Sequence, residues 1–559
     1  MKQKNTPLAY APAVRGENLF LLDKPLQAHL GKTKHRDVLE AFGQWLGSTN
    51  DAQAEYTDRH GLPILESFDA NGNRVNHIVH NPAWLDSVRE VYQRGIIGLN
   101  YNGKPAPYTV TFAMGYMLSQ TDVSLHCPVT MTGAVAYVLD RFAPKAVKKR
   151  YLHELTRQDG ESLTGGTWAT EHHGGSDIGA TTTVATPGDK TGEFTLKGLK
   201  WFTSNANGGL ALATARPQGA PQGSKGLGLY LVPTHMDDGT PNAMLIRRLK
   251  DKLGTCGVPT GEIDLLDSWA VEVAPPPEGF KLMMEALGFS RIHNAMAAVG
   301  VQRRAFLEAI SFASHRQAFG STITNYPMVK TEILDILAPQ EAGLALTFEA
   351  SRTFDECADL PLDHPKRIWL RLSTALAKYL TAEDAIHGAS KAIEVIGGNG
   401  YVYDRITPRL LRDAQVLTVW EGPANIQALE LLRLLDPKYG GFGLFGERVK
   451  AIVQGSHTGV EKMLAARLKA CIEAATYLAQ NPTEAQRHAR RLLHMLATTL
   501  AAALLVEQAQ AELKQDKNRR TSLVARWYLE ACLAEQPIGP GQDWAEADFE
   551  AIVGYGLVR

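Results

Sequence analysis

Apolar residues recur at helical spacing through most of residues 1–160. Phe112, Met114, Met117 and Leu118 follow such intervals, and so do Val135, Val138 and Leu139. The texture changes after Gly160, where Gly and Thr become frequent and apolar runs short. Glu193 to Gly198 alternates as a half-buried strand does. Gly209–Ala215, Gly228–Val232 and Gly261–Leu266 are also strand-like, and the Pro- and Gly-rich stretch Arg216–Lys225 reads as a loop. Short strands this close together predict a small barrel or sandwich. Helical texture then returns. Ala297–Ser314, Met328–Glu356, Lys366–Val395 and Asn425–Leu435 predict an antiparallel four-helix bundle. Asp436 to Gly443 breaks the pattern. An Ala- and Leu-rich helical segment follows, with a looser tail after Pro537.

The pattern predicts an α+β fold in four segments: a helical domain over 1–160, a β domain over 161–278, a helix bundle over 279–440 and a helical extension over 441–559. A chain of 559 residues is too long for one ordinary domain, which agrees. Hydrophobic residues at 44% and charged residues at 21% exclude a mainly disordered chain or a collagen. The net charge of -1 argues against a protein built wholly around nucleic acid. Five scattered cysteines without CxxC spacing point away from a disulfide scaffold and from a zinc site, and no metal is expected. No apolar stretch follows Lys2 and Lys4 before Arg15 and Glu17. The apolar run near Met495–Val506 is shorter than a membrane span and reads as a buried core helix. The expectation is a soluble, reduced, cytoplasmic protein.

Five stretches carry candidate chemistry. Thr167, Trp168, Ala169, Thr170 and Glu171 lead into Gly174, Gly175, Ser176 and Asp177. Adjacent glycines beside hydroxyls let a ligand approach the backbone, though Gly-Gly-Ser-Asp is also an ordinary turn. Trp201, Phe202 and Thr203 close a predicted strand; the Trp suits either a stacked ring or a barrel core. Arg316, with Phe319 and Gly320 after it, suits a pyrophosphate or a helix stop. Gly397, Gly398 and Gly400 after a helix permit close backbone approach or simply end that helix. Trp420, Glu421, Gly422 and Asn425 surround Pro423, which reads as a first helical residue. There the positive helix end favours a carboxylate, whereas burial would favour the protonated acid that a base for weakly acidic protons needs.

In this order and spacing the five stretches resemble the acyl-CoA dehydrogenase family, over roughly residues 80 to 436. Thr170 to Asp177 resembles the family's Thr-Glu-Pro-x-x-Gly-Ser-Asp, and Trp201-Phe202-Thr203 its Trp-Ile/Phe-Thr. Lys252 to Gly254, Pro259 to Glu262, the Arg316–Phe319–Gly320 element and Gly397 to Tyr401 also match. Asn18 to Leu21, Ser124 to Thr132, Leu249 to Gly254 and the long C-terminal segment resemble the AidB branch, extending the likeness to nearly the full length.

The resemblance implies an N-terminal helical domain, a β domain and a four-helix bundle, assembled as a homotetramer that holds FAD. It implies that Trp168 and Thr170 border the flavin, that Ser176 lies near flavin and substrate, and that Trp201 and Thr203 flank the other ring side. Arg316 would contact the diphosphate or adenine region, and Gly397 and Gly398 would lie against a neighbouring subunit's FAD. The implied reaction is α,β-dehydrogenation of an acyl-CoA thioester, with Glu421 as base and flavin N5 as hydride acceptor. A backbone N–H near Glu421 and a flavin hydroxyl would stabilise the thioester oxygen, and Arg291 would lie near the acyl-CoA. Three departures stand out: His172 replaces the motif's Pro, Glu394 a usual Gln, and Pro327 another Gln near the adenosine.

AidB proteins are associated with duplex DNA through the C-terminal domain. Residues 438–559 hold 15 basic and 13 acidic residues, a balance of +2. Arg487, Arg490, Arg491 and His494 share one helical face, and Lys514, Lys517, Arg519 and Arg520 form a second cluster. Each could meet phosphates or be a solvated face. The alternative function is therefore an alkylation-stress flavoprotein that binds DNA with little turnover.

Overall fold

The computed structural model describes residues 13–357, 359–361, 363–516, 518–533 and 544–553. Lys517 and most of the tail expected after Pro537 lie outside the described residues. Two compact units emerge, and they do not follow the four sequence segments.

One unit comprises 50–107 and 122–293. Its first feature was not expected: within the helical N-terminal segment, β1 (Ile64–Phe68) and β2 (Arg74–Val79) form an antiparallel hairpin. Asp69 shapes the turn, its carboxylate accepting from the backbone N–H groups of Asn71 and Asn73 at 2.8 Å each. The remaining strands are β3 (Gly165–Trp168), β4 (Val184–Pro187), β5 (Glu193–Ser204), β6 (Leu210–Pro217), β7 (Gly228–Pro233), β8 (Met244–Leu249) and β9 (Thr260–Ala274). The pairings β6–β4, β4–β5, β5–β9, β9–β7 and β7–β6 close on themselves, so the expected barrel or sandwich is a closed ring. Closure buries both faces of β6 and β7, whose continuous apolar runs agree with that. Its core includes Trp168, Ala213, Tyr230, Val232, Ile263 and Leu265. The hairpin is tied to β8: the Asn76 side chain donates to Met244 O at 2.7 Å and accepts from Ile246 N at 2.9 Å.

Helix α1 (Val123–Arg141) is capped by Asp122, which accepts from Leu125 N at 2.9 Å. It packs on β3, where Thr132 Oγ1 accepts from Gly165 N at 2.8 Å. Helix α2 (Glu278–His315) begins well before the expected Ala297. Ser290, Arg291, His293 and Asn294 interrupt the apolar pattern there and conceal its first half. Its start presses on β7.

The other unit comprises the described residues of 1–49, 108–121 and 294–559. Helices α3 (Pro327–Cys357), α4 (Pro365–Ile396) and α5 (Ala424–Leu435) fall within two residues of the expected ranges. Helices α6 (Ala485–Asp516) and α7 (Arg520–Trp527) belong to the C-terminal segment. That segment is helical as expected, but it is part of the same compact unit and not a separate lobe. Buried charge joins it: Arg520 donates twice to Glu341 of α3, at 3.0 and 2.5 Å. Arg448 donates to both Glu349 of α3 and Glu507 of α6. The span Pro482–Gln515 is long and apolar enough to cross a membrane by length and composition alone, yet 78% of that apolar window is buried inside the structure.

A Cβ built on Gly279 would lie 2.3 Å from Gly228 C and Leu229 N, both backbone atoms that cannot swing aside. Gly279→Ala is therefore expected to push α2 off β7, at about 1–3 kcal/mol, read as a lowered melting temperature. A melt matching the parent would show that the helix start is free to shift.

Candidate cofactor and catalytic site

The polar loop after β3 is held by a buried ion pair. Glu171 is 2% exposed and accepts five hydrogen bonds: from Thr182 N and Oγ1, from Thr183 N and Oγ1, and from Lys200 Nζ at 2.9 Å. Lys200, fully buried in β5, also donates to Thr214 O at 2.8 Å. Burial pushes the Glu171 carboxyl upward, but the Lys200 charge and the donated hydrogen bonds outweigh it and hold the group at about 2. Burial pulls the Lys200 ammonium down, and Glu171 opposes that. Glu171 was expected to meet a cofactor. Its carboxylate is instead fully engaged in fastening the loop to the barrel.

Fastened this way, the loop leaves Gly174 and Ser176 exposed. Gly175 has no room for a side chain, since a Cβ there would lie 2.6 Å from Thr170 Oγ1. Thr170 O accepts from Trp201 N at 3.0 Å, bringing two of the sequence motifs together. His172, at the family's Pro position, packs edge-on against Trp201 with ring centroids 4.5 Å apart. Lys250 Nζ lies 3.5 Å from the Trp201 ring centroid, a cation–π contact, and donates to Glu262 at 2.5 Å. Phe202 is exposed, while Thr167, Ala169, Thr170 and Trp201 are partly exposed.

Two further expectations need correction. Trp168 is 1% exposed and sits in the barrel core, so its ring is not presented at the surface, although its Nε1 lacks a hydrogen-bond partner among the described residues. Thr203 is 1% exposed and donates to Gly261 O at 2.7 Å, so its hydroxyl is not presented to a ligand either. In both cases ring closure of the sheet buried a side chain that the linear motif left open.

In the helical unit, Glu421 adopts a left-handed backbone with φ 59°, followed by Gly422 at φ 92°. Pro423, expected as the first helical residue, is the N-cap, and α5 starts at Ala424. Trp420 Nε1 donates to Asn294 Oδ1. Gln427 Nε2 donates to Glu421 O at 3.2 Å and to Gly422 O at 2.9 Å. Asn425 is exposed. Arg316 is exposed just beyond α2, and Phe319 is 98% exposed at a hairpin tip with φ 51°. Gly397, at φ 72°, ends α4 with open space around it, and Gly398 is likewise open. Arg291 is partly exposed on α2.

Of the basic clusters, Arg520 must be withdrawn as a phosphate contact because Glu341 occupies its guanidinium in the interior. Arg487 pairs with Glu484 at 2.8 Å and Arg490 with Glu383 at 3.4 Å, both near the surface. Arg491, Lys514 and Arg519 are exposed. Sequence reasoning missed Lys200, Lys250, Asn294 and Gln427. A lysine in the middle of a buried strand was the one available signal, since such a charge requires a partner. Nothing local marks the two amides.

Comparison with known proteins adds to this geometry. Residues 10–161 match the description "Adaptive response protein AidB N-terminal domain", residues 166–268 match "Acyl-CoA dehydrogenase, middle domain", and residues 277–435 match "Acyl-CoA dehydrogenase, C-terminal domain". The chain is 29% identical over 448 residues to AidB of Escherichia coli (strain K12), covering 78% of this chain and 81% of that protein. It is similar to Caenorhabditis elegans ACDH-11, crystallised in complex with C11-CoA, at 28% identity and a TM-score of 0.84, covering 95% of this chain and 94% of that one. The structure of the apo-form of Bd2924 is 30% identical with a TM-score of 0.81, covering 89% and 99%.

Lys200→Met would leave the Glu171 carboxylate buried without its counter-charge. Loss of about 3–5 kcal/mol is expected, seen as a lowered melting temperature. The double variant with Glu171→Gln should recover part of it. Equal melting of Lys200→Met and the parent would remove the ion pair from the account of the loop.

Proposed function

Because the chain belongs to the acyl-CoA dehydrogenase family and carries the AidB-type N-terminal domain, we propose that it is an FAD-dependent flavoprotein that dehydrogenates an acyl-CoA thioester. FAD is the cofactor typical of the family, and each unit by itself carries residues that suit part of it. The barrel carries the partly exposed Thr170 and Trp201 and the exposed Gly174 and Ser176. The helical unit presents the Arg316 guanidinium and the unobstructed Gly397–Gly398 turn, which suit a diphosphate. When bound, FAD supplies the acceptor for a hydride.

The chain's own residues supply the rest. Glu421 takes the α-proton of the thioester as the β-hydrogen leaves as hydride, so a C=C bond forms and two hydrogens depart. Trp420 and Gly422 flank the base. Arg291 and Ser176 orient the acyl-CoA. The carrying observation is the glutamate itself, set in a left-handed turn within the family's Trp-Glu-Gly position. A relative crystallised with C11-CoA supports an acyl-CoA as substrate class. The same reading extends to a homotetramer in the cytoplasm.

A second reading is salt-sensitive binding of duplex DNA at the C-terminal helices, favoured by Arg491, Lys514 and Arg519, which are exposed and make no ion pair among the described residues. Neutralising all three should weaken binding in a titration at low salt. Unchanged affinity would reject this surface.

The enzymatic reading is tested by anaerobic bleaching of the flavin spectrum with a panel of straight and branched acyl-CoAs. Bleaching by at least one member is expected. Glu421→Gln should slow it by at least about 100-fold, within the range of a lost general base. Bleaching of the variant at the parent rate would show that Glu421 is not the base.

A further inference from the structure

We propose that Gln427 and Asn294 are positioning residues that fix the turn carrying Glu421, a role that rests on reading Glu421 as the base. The turn needs outside support. Two successive residues, Glu421 and Gly422, take left-handed backbone, which is unfavourable for a residue with a Cβ. The following residue is Pro423, which has no N–H to contribute. Pro423 therefore cannot tie the turn through its own backbone nitrogen.

Gln427 supplies the missing tie. It projects from the first turn of α5, is fully buried, and gives one amide nitrogen to the carbonyls of both Glu421 and Gly422. The two carbonyls also set its orientation, because a flipped amide would face them with its own oxygen. Gly422 is fitted closely to this side chain: a Cβ there would lie 3.1 Å from Gln427 Nε2 and 3.0 Å from Ile426 Cγ2. On the other flank, Asn294 Oδ1 accepts from the Trp420 indole. The base is thus bracketed by one amide that donates and one that accepts.

Each amide leaves its other end unmatched. Gln427 Oε1 and Asn294 Nδ2 are buried and have no hydrogen-bond partner among the described residues. A buried polar atom in that state carries a desolvation cost. Both amides bear that cost while their other ends hold the turn that carries the base.

Gln427→Leu keeps the volume and removes the donor. The expected result is a kcat lower by about 10–100-fold, as for a reacting group displaced by roughly 1 Å. KM should stay within about threefold, because uniform binding is untouched. Backbone amide exchange in the peptide over 420–426 should quicken in the protein without added substrate. Asn294→Leu should behave alike, whereas Asn294→Asp, which retains the acceptor for Trp420, should recover most of the rate. Gln427→Leu with parent kcat and parent exchange would overturn the proposal. So would a rise in KM matching the fall in kcat, or failure of both Asn294 variants alike. A fully active Glu421→Gln would instead sink the base assignment, and that outcome is separable because it involves neither amide.

Discussion

A lysine and a glutamate removed from water together organise the exposed loop of the barrel. Lys200 cannot lie in the middle of β5 without a counter-charge, and Glu171 cannot stay ionised inside without donors. Each solves the other's problem, and Thr182, Thr183 and the Thr214 carbonyl complete the set. The result joins the end of β3, the approach to β4, and strands β5 and β6 at one dry point. Gly174 and Ser176 remain outside, on a base fixed by the buried pair. The loop's order comes from the interior while its face stays open.

The helical unit uses the same principle at larger scale. Arg520 reaches Glu341, and Arg448 spans Glu349 and Glu507, so the C-terminal helices are joined to α3 by charge as well as by apolar packing. The Arg520–Glu341 pair lies in the interior, where a charge is costly unless paired, whereas Glu507 at the far end of the Arg448 contact is open to solvent. The apolar length of α6 is used in the same way, covered by protein. A basic cluster read along the chain is thereby divided: Arg520 is an interior tie, while Lys514 and Arg519 are left to solvent.

Much of the architecture was legible in the linear pattern. The long helices were visible because 3.6-residue periodicity is set by local backbone geometry, and the barrel strands because alternation is likewise local. The motifs from Thr170 to Glu421 were visible as residues in order. The β1–β2 hairpin was not, since its strands are short, mostly solvated, and held by Asn76 bonds to a strand about 170 residues away. The first half of α2 was concealed by polar side chains, among them His293 and Asn294, whose partners His126 and Trp420 are remote in sequence.

Residue types and their order were enough to specify most helices and strands and the chemistry on offer, because these depend on near neighbours, whereas the division into two compact units did not follow the four sequence segments. Which candidate side chains face outward was settled by packing. Glu171, Trp168, Thr203 and Arg520 all turned inward, each toward a partner or a core brought close by closure of the ring or docking of the helices. The same holds for the two amides around Glu421. Burial and hydrogen-bond partnership are properties of the folded neighbourhood, and distance along the chain does not encode them.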